Sequence, residues 1–256
     1  MSIRIEETAK TIVVLNRAEK RGALSPEFYD AILEGCRMAG DKRALILSGQ
    51  GYFCAGGDLG LIRTRQSLPL EERRANIEKL HNVVRALVHA PVPTICAVEG
   101  GAAGAGLSLA LACDLLVAAQ GAQFAARYVN AGLTPDGGLT HSMAACLPKQ
   151  LAMEMCLLGR PQSAERLYGL GVVTTLTEQG QAFAAAQDLA TELARGAGHA
   201  QSRIRALLRA APESDLEEML NLEADYMAEA QGHPESVEGI SAFLEKRAPK
   251  FPRDRG

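Results

Sequence analysis

Twice in this chain a short run of apolar, β-branched residues ends in glycines and passes directly into a segment able to start a helix. Residues 43–48 (RALILS) lead into GQGYFCAGGDL at 49–59, and residues 94–99 (TICAVE) lead into GGAAGAGLSLALACD at 100–114. Strands that turn into helices on glycines are the building units of α/β folds, where helical crossovers join neighbouring strands. The surrounding sequence repeats the alternation. Residues 11–15 (TIVVL) and 114–119 (DLLVAA) read as further strands. Ser25, Pro26 and Glu27 form a helix start, with Ser as N-cap and Pro at the first helical position. Phe28, Ile32 and Leu33 supply that helix's apolar face, and Gly40 marks its end. Residues 71–90 place Ile77, Leu80, Val83, Val84, Leu87 and Val88 at helical spacing before Pro91 and Pro93.

The pattern changes after about residue 140. Residues 143–158 and 178–195 read as helices, residues 196–198 (GAG) as a break, and residues 202–210, 215–230 and 234–246 as three amphipathic helices. The expected division is an α/β core with the active site over 1–195 and a helical region over 196–256.

Composition narrows the function classes. The 256 residues are 47% hydrophobic and 22% charged, an ordinary globular balance. A net charge of -3 argues against a nucleic-acid partner held by a global basic field. With aromatics at 4% and no Trp, a stacking platform for single strands is disfavoured as well. The opening MSIRIEETAK lacks an apolar signal core, and the apolar stretch 102–119 is interrupted by Gly104, Gly106, Ser108 and Asp114. That stretch reads as a buried helix–turn–strand, so no membrane partner is expected. The six cysteines show no C-x-x-C pair and no zinc spacing with histidine. Cys96, Cys113, Cys146 and Cys156 sit in apolar runs and read as reduced core thiols of a cytoplasmic protein.

The glycine turns admit three uses. Backbone N–H groups at two such turns can converge into an oxyanion hole, each donor worth about 2.7–4 kcal/mol in a dry site. They can bind phosphate, although neither turn has the P-loop lysine or a clean G-x-G-x-x-G. They can also serve close packing alone.

Five ordered blocks then make the chain resemble the crotonase family, the enoyl-CoA hydratases and isomerases. They are VLNR at 14–17 with RGALS at 21–25; FCAGGDL at 53–59; VEG at 98–100 running through Cys113 and Asp114; GLTPDGG at 132–138; and EGI with AFLEKR at 238–247. The resemblance implies a ClpP/crotonase-like spiral of ββα repeats followed by a helical trimerisation region. It implies an acyl-CoA thioester as substrate, a homotrimer or a hexamer of two trimers, and no metal or redox cofactor. The N–H groups of Gly57 and Ala105 would form the oxyanion hole. Arg21, Ala23, Leu24, Ala55 and Asp58 would lie along coenzyme A, with Lys246 and Lys250 meeting its phosphates. Asp58 also reads as a helix N-cap.

The acid/base residues depart from a hydratase of that family. Where two glutamates hold the attacking water, the resemblance places Ser108 and Tyr128. Both are poor bases at neutral pH, with reference pKa values of about 10 or above. Asp136, within TPDGG, falls where isomerases of the family carry an aspartate. The leading expectation is an enoyl-CoA isomerase with Asp136 as its single base, and Gly104, Ser108 and Tyr128 in the acyl pocket. The rivals are a hydratase or thioester hydrolase using Ser108 or an activated water, and a non-catalytic acyl-CoA-binding protein. Pro-Asp-Gly is equally a favoured turn tripeptide. No motif assigns a role to any of the five histidines; His141 lies nearest to Asp136 in sequence. Cys54, beside the first turn, reads as core rather than nucleophile.

Overall fold

The computed structural model describes residues 3–16 and 19–251, apart from the side chains of residues 19 and 20. Arg17 of the opening block lies outside the described residues. The chain divides after Ala190 into two compact units.

The first unit is built on a six-stranded sheet. Its strands are β1 (Arg4–Glu7), β2 (Thr11–Asn16), β3 (Ala44–Gly49), β4 (Thr94–Val98), β6 (Leu115–Ala119) and β9 (Thr175–Thr177). They stand in the order β1-β2-β3-β4-β6-β9; only the β1–β2 pair is antiparallel. Every residue of β3 and β4 is buried. Parallel strands covered on both faces need such continuous apolar runs rather than alternation. Helix α1 (Pro26–Met38) packs Phe28 and Ile32 into this core, and the Ser25 side chain accepts from the Phe28 N–H as its cap. Helices α2 (Leu59–Arg65) and α3 (Leu70–Val88) follow β3, and Leu80, Val83 and Leu87 are the buried face of α3.

A second, smaller sheet makes each repeat ββα. Strand β5 (Gly101–Ala103) follows β4 and precedes helix α4 (Ala105–Ala112); strand β7 (Gln123–Ala125) follows β6. β5 pairs in parallel with β7, and β7 pairs antiparallel with β8 (Gln162–Ser163). Bridges Cys54–Ala102 and Leu24–Gly57 continue the same ladder toward α1. The glycine turns are therefore stacked rungs of one ladder, each at the start of a helix.

Several sequence expectations are corrected here. Residues 101–103 form a strand rather than a turn; three residues are too few to show a period of two. Residues 143–158 are not one helix. Helix α5 (Leu139–Cys146) ends before Pro148, and α6 (Lys149–Leu158) starts after it. Proline cannot continue the preceding helix but suits the start of the next. Helix α7 (Ala164–Gly169) carries no signal in the sequence reading, and α8 (Ala182–Leu193) begins later than 178. All six cysteines are free, but only Cys36, Cys54 and Cys96 are buried; Cys113 and Cys156 are half-buried and Cys146 is exposed. An apolar run along a helix does not say which face a thiol takes. Among the described residues no helix is long and apolar enough to cross a membrane.

The second unit contains α9 (Gly198–Ala210), α10 (Leu216–Gly232) and α11 (Pro234–Leu244). A capping box of Asp215 and Glu218 starts α10. Buried Glu235 accepts from the N–H groups of His199 and Ala200, which closes the start of α9. Large apolar side chains face outward from all three helices, among them Leu208, Leu216, Met227 and Phe243.

Candidate active site

The two glycine turns lie against each other. Ala103 N–H donates to Cys54 O at 2.9 Å, and Gly104 N–H donates to Ala125 O at 2.9 Å. Gly56 has φ +92°, and a Cβ there would stand 2.7 Å from Ala103 O and 3.4 Å from Ala105 N. Only glycine fits a position at once left-handed and this close to the next rung. Gly104, at φ +51°, turns the chain from β5 into α4, so Ala105 N–H is the first amide of that helix. Among the described residues the N–H groups of Gly57 and Ala105 donate to no protein acceptor. Two unspent amides on adjacent rungs, one at a helix start, suit an oxygen atom that is gaining negative charge.

Beside them lies a polar cluster. Tyr128 Oη donates to Asp136 Oδ1 at 2.7 Å, and Ser108 Oγ donates to the Asp136 carbonyl at 2.9 Å. Ser108 Oγ and Tyr128 Oη are 3.2 Å apart. The Tyr128 ring lies over Gly104: a Cβ on Gly104 would meet Tyr128 Cζ at 3.8 Å. The cluster thus borders the second turn. Ser108 is fully buried on α4, one turn past Gly104, while Tyr128 and Asp136 are half-buried on the segment that joins β7 to α5.

Electrostatics follow from this burial. Loss of water raises the Asp136 carboxyl above its ordinary range, opposed first by the Tyr128 hydrogen bond and then by the charge of His81. Tyr128 is pushed up strongly by burial and next by the Asp136 charge, so it remains a donor. Tyr29, on α1, is raised to about 12 by burial, then by Asp136 and Cys54, with Arg65 opposing. Full burial pushes the Cys54 thiol up to about 12, against the Gly56 N–H that contacts its sulfur. A thiol so placed is core, not nucleophile.

The residues expected along the ligand lie on the neighbouring rung. Leu24 N–H donates to Gly56 O at 2.8 Å, and Ala55 N–H donates to Arg21 O at 3.0 Å. Ala23 and Leu24 are buried, and the Arg21 guanidinium lies 5.9 Å from the centre of the Tyr52 ring. Asp58 caps α2, with Oδ1 accepting from Gly60 N–H at 2.8 Å. Lys246 and Lys250 are exposed in the second unit, where Lys250 N–H donates to Glu238.

Tyr29 and His81 escaped the sequence reading. Tyr29 sits next to Phe28 on a helix whose signal is its apolar face. His81 lies far from Asp136 in sequence, whereas His141, nearer in sequence, is exposed on α5. No signal short of the tertiary structure distinguishes them.

The fold and paired amide turns define the class of enzymes with the crotonase fold. An enoyl-CoA hydratase/isomerase family model matches residues 6–254, and the chain belongs to that family. It is 34% identical over 252 residues to an Escherichia coli protein named 1,2-epoxyphenylacetyl-CoA isomerase, covering 96% of each chain. It is likewise 34% identical over 252 residues to the human enoyl-CoA hydratase domain-containing protein 2, mitochondrial, covering 94% of this chain and 85% of that one. A crystal structure of an enoyl-CoA hydratase from a Polaromonas species superposes with a TM-score of 0.94 at 38% identity, over 98% of this chain and 99% of that one.

Proposed function

We propose that this member of the enoyl-CoA hydratase/isomerase family is an isomerase that shifts a double bond of an acyl-CoA thioester, with Asp136 as its single acid/base. One observation carries the reading. The carboxylate of the cluster is Asp136, desolvated and held by Tyr128, beside two amides that donate to no protein acceptor. In a 3-enoyl thioester the Asp136 carboxylate takes a proton from the α-carbon. The C–H electron pair moves into the thioester, whose oxygen gains charge and is held by the N–H groups of Gly57 and Ala105. The Asp136 carboxylic acid then returns the proton to the γ-carbon, and the 2-enoyl thioester forms. Tyr128 donates to Oδ1, so the other carboxylate oxygen is the one assigned to the proton transfer. Burial lifts the Asp136 pKa toward that of a useful base.

A Ser108 hydrolase is less well supported: its Oγ donates to a backbone carbonyl, and no histidine among the described residues touches it. Coenzyme A would run along Arg21, Ala23, Leu24, Ala55 and Asp58. The exposed apolar face of the second unit suits assembly into a trimer. Free thiols suit a reducing compartment such as the cytoplasm.

The test is product analysis and deuterium uptake with 3-enoyl-CoA in D₂O, wild type beside Asp136→Asn. A double-bond shift that falls on the order of 10²-fold or more in the variant supports the assignment. Full isomerase activity in Asp136→Asn would sink it. Hydrated product, or free coenzyme A made at undiminished rate by the variant, would move the chemistry to a water or to Ser108. Binding of coenzyme A without turnover would favour a non-catalytic role.

A further inference from the structure

Two consecutive glycines, Gly137 and Gly138, follow Asp136, with φ of +61° and +72°. Such a stretch is conformationally permissive and offers no side chain of its own as an anchor, so Asp136 must be held from outside. Tyr128 holds its carboxylate, and Ser108 holds its main chain. Ser108 Oγ donates to the Asp136 carbonyl oxygen at 2.9 Å; the same hydroxyl is 3.2 Å from Tyr128 Oη and 3.5 Å from Gly104 O. A hydroxyl has one proton to give, and the shortest of the three contacts takes it. The segment also packs on this residue. A Cβ on Gly137 would stand 2.9 Å from Ser108 Cβ and 3.3 Å from its Oγ. Ser108 is fully buried, so the bond is shielded from water. The Asp136 carbonyl has a second donor in the Leu139 N–H, at 3.2 Å, where α5 begins.

Ser108 belongs to the first turn of α4. Its N–H donates to Gly104 O at 3.2 Å, and the Leu107 N–H donates to the same oxygen at 2.9 Å. Ala105 opens that turn. Three helical residues separate it from Ser108, about 4.5 Å along the axis. We infer that Ser108 is a positioning residue: by tying the Asp136 main chain to the first turn of α4, it sets the spacing between the base and the oxyanion-hole amide of Ala105. The inference rests on the reading of Asp136 as the base, but the tie itself can be measured without turnover. One rigid turn carries both the tie and the amide. The group that moves the α-carbon proton and the group that holds the thioester oxygen therefore keep a fixed distance. Without the tie, a base followed by two left-handed glycines has more than one place to be. A misplacement of about 1 Å costs on the order of 10²-fold in rate.

The experiment compares wild type, Ser108→Ala, Asp136→Asn and the double variant. It measures kcat and KM with 3-enoyl-CoA, and amide hydrogen exchange of the peptide that carries Leu139. Ser108→Ala keeps the Cβ that Gly137 packs on, and the Leu139 N–H still serves the carbonyl, so the variant is expected to fold; thermal melting gives the folded fraction. Per folded protein, kcat is expected to fall on the order of 10- to 100-fold with KM for the thioester unchanged. Leu139 exchange is expected to quicken about three- to tenfold, the worth of one hydrogen bond. In the Asp136→Asn background, Ser108→Ala is expected to cost nothing further, because a residue that acts through Asp136 has nothing left to position. Unchanged kcat and exchange in Ser108→Ala overturn the inference. So does a loss of equal size in both backgrounds, which would make Ser108 act on its own. If Asp136→Asn is fully active, the base reading falls, while quickened Leu139 exchange in Ser108→Ala still upholds the tie.

Discussion

Tyr128 donates its phenolic proton to Asp136 across 2.7 Å, from a position where the family resemblance points to a carboxylate in hydratases. The exchange turns a site for two acids into a site for one acid with a neutral hydrogen-bond donor. Two carboxylates would compete for one proton; a carboxylate and a phenol share one without competition.

Removing that donor has a defined sign. Tyr128→Phe takes away the largest influence that lowers the Asp136 pKa and leaves the burial that raises it. The acid limb of kcat is expected to move to higher pH, so activity is lost earlier as pH falls. At neutral pH the loss is smaller, on the order of tenfold or less. A pH–rate profile checks this, and an unmoved acid limb would contradict the hydrogen bond's role.

Asp136 also bears on stability. Its folded pKa is raised, so between the unfolded and folded values the folded chain binds more protons than the unfolded one. Stability is therefore lost as pH rises through that window, and the cost is absent below the unfolded value of about 3.9. Asp136→Asn, which keeps an acceptor for Tyr128, is expected to raise the melting temperature at pH 7 while it lowers activity. The gain is expected to shrink toward acid pH. Thermal melts at pH 7 and near the lower limit of folding decide it.

Gly56→Ala would place a methyl 2.7 Å from Ala103 O at φ +92°. Strain of this kind costs on the order of 1–3 kcal/mol and forces the first turn away from the second. Urea denaturation should show the lost stability. Turnover should fall by more than the folded fraction explains, because Gly57 N–H moves with the turn.

Thiol chemistry should separate the cysteines. Cys146 is exposed and is expected to react first with an aromatic disulfide reagent in the native protein. Cys54 and Cys96, fully buried with thiols pushed well up, should react only on unfolding. Rapid native labelling of Cys54, located by peptide mapping, would contradict its place in the core.

Local chemistry was legible where it acts within a few residues. Ser25-Pro26-Glu27 starts α1, Asp58 caps α2, and the β3 and β4 runs are strands. Elements of two or three residues, β5, β7, β8 and β9, left no periodic trace and exist because a neighbouring rung pairs with them. The apolar residues of 143–158 suggested one helix, and Pro148 divides them.

What the sequence alone determined is the longer strands and helices and the two glycine turns, because propensity, capping and turn chemistry are local; the candidates Ser108, Tyr128 and Asp136 came from the family resemblance. Only the tertiary structure decided that Ser108 and Tyr128 both bond Asp136 and that Tyr29 comes from α1 into the same electrostatic site. Those relations span 28, 8 and 107 residues between their partners. Hydrogen bonds and charge act over ångströms, and stacked ββα rungs bring together groups that the chain keeps far apart.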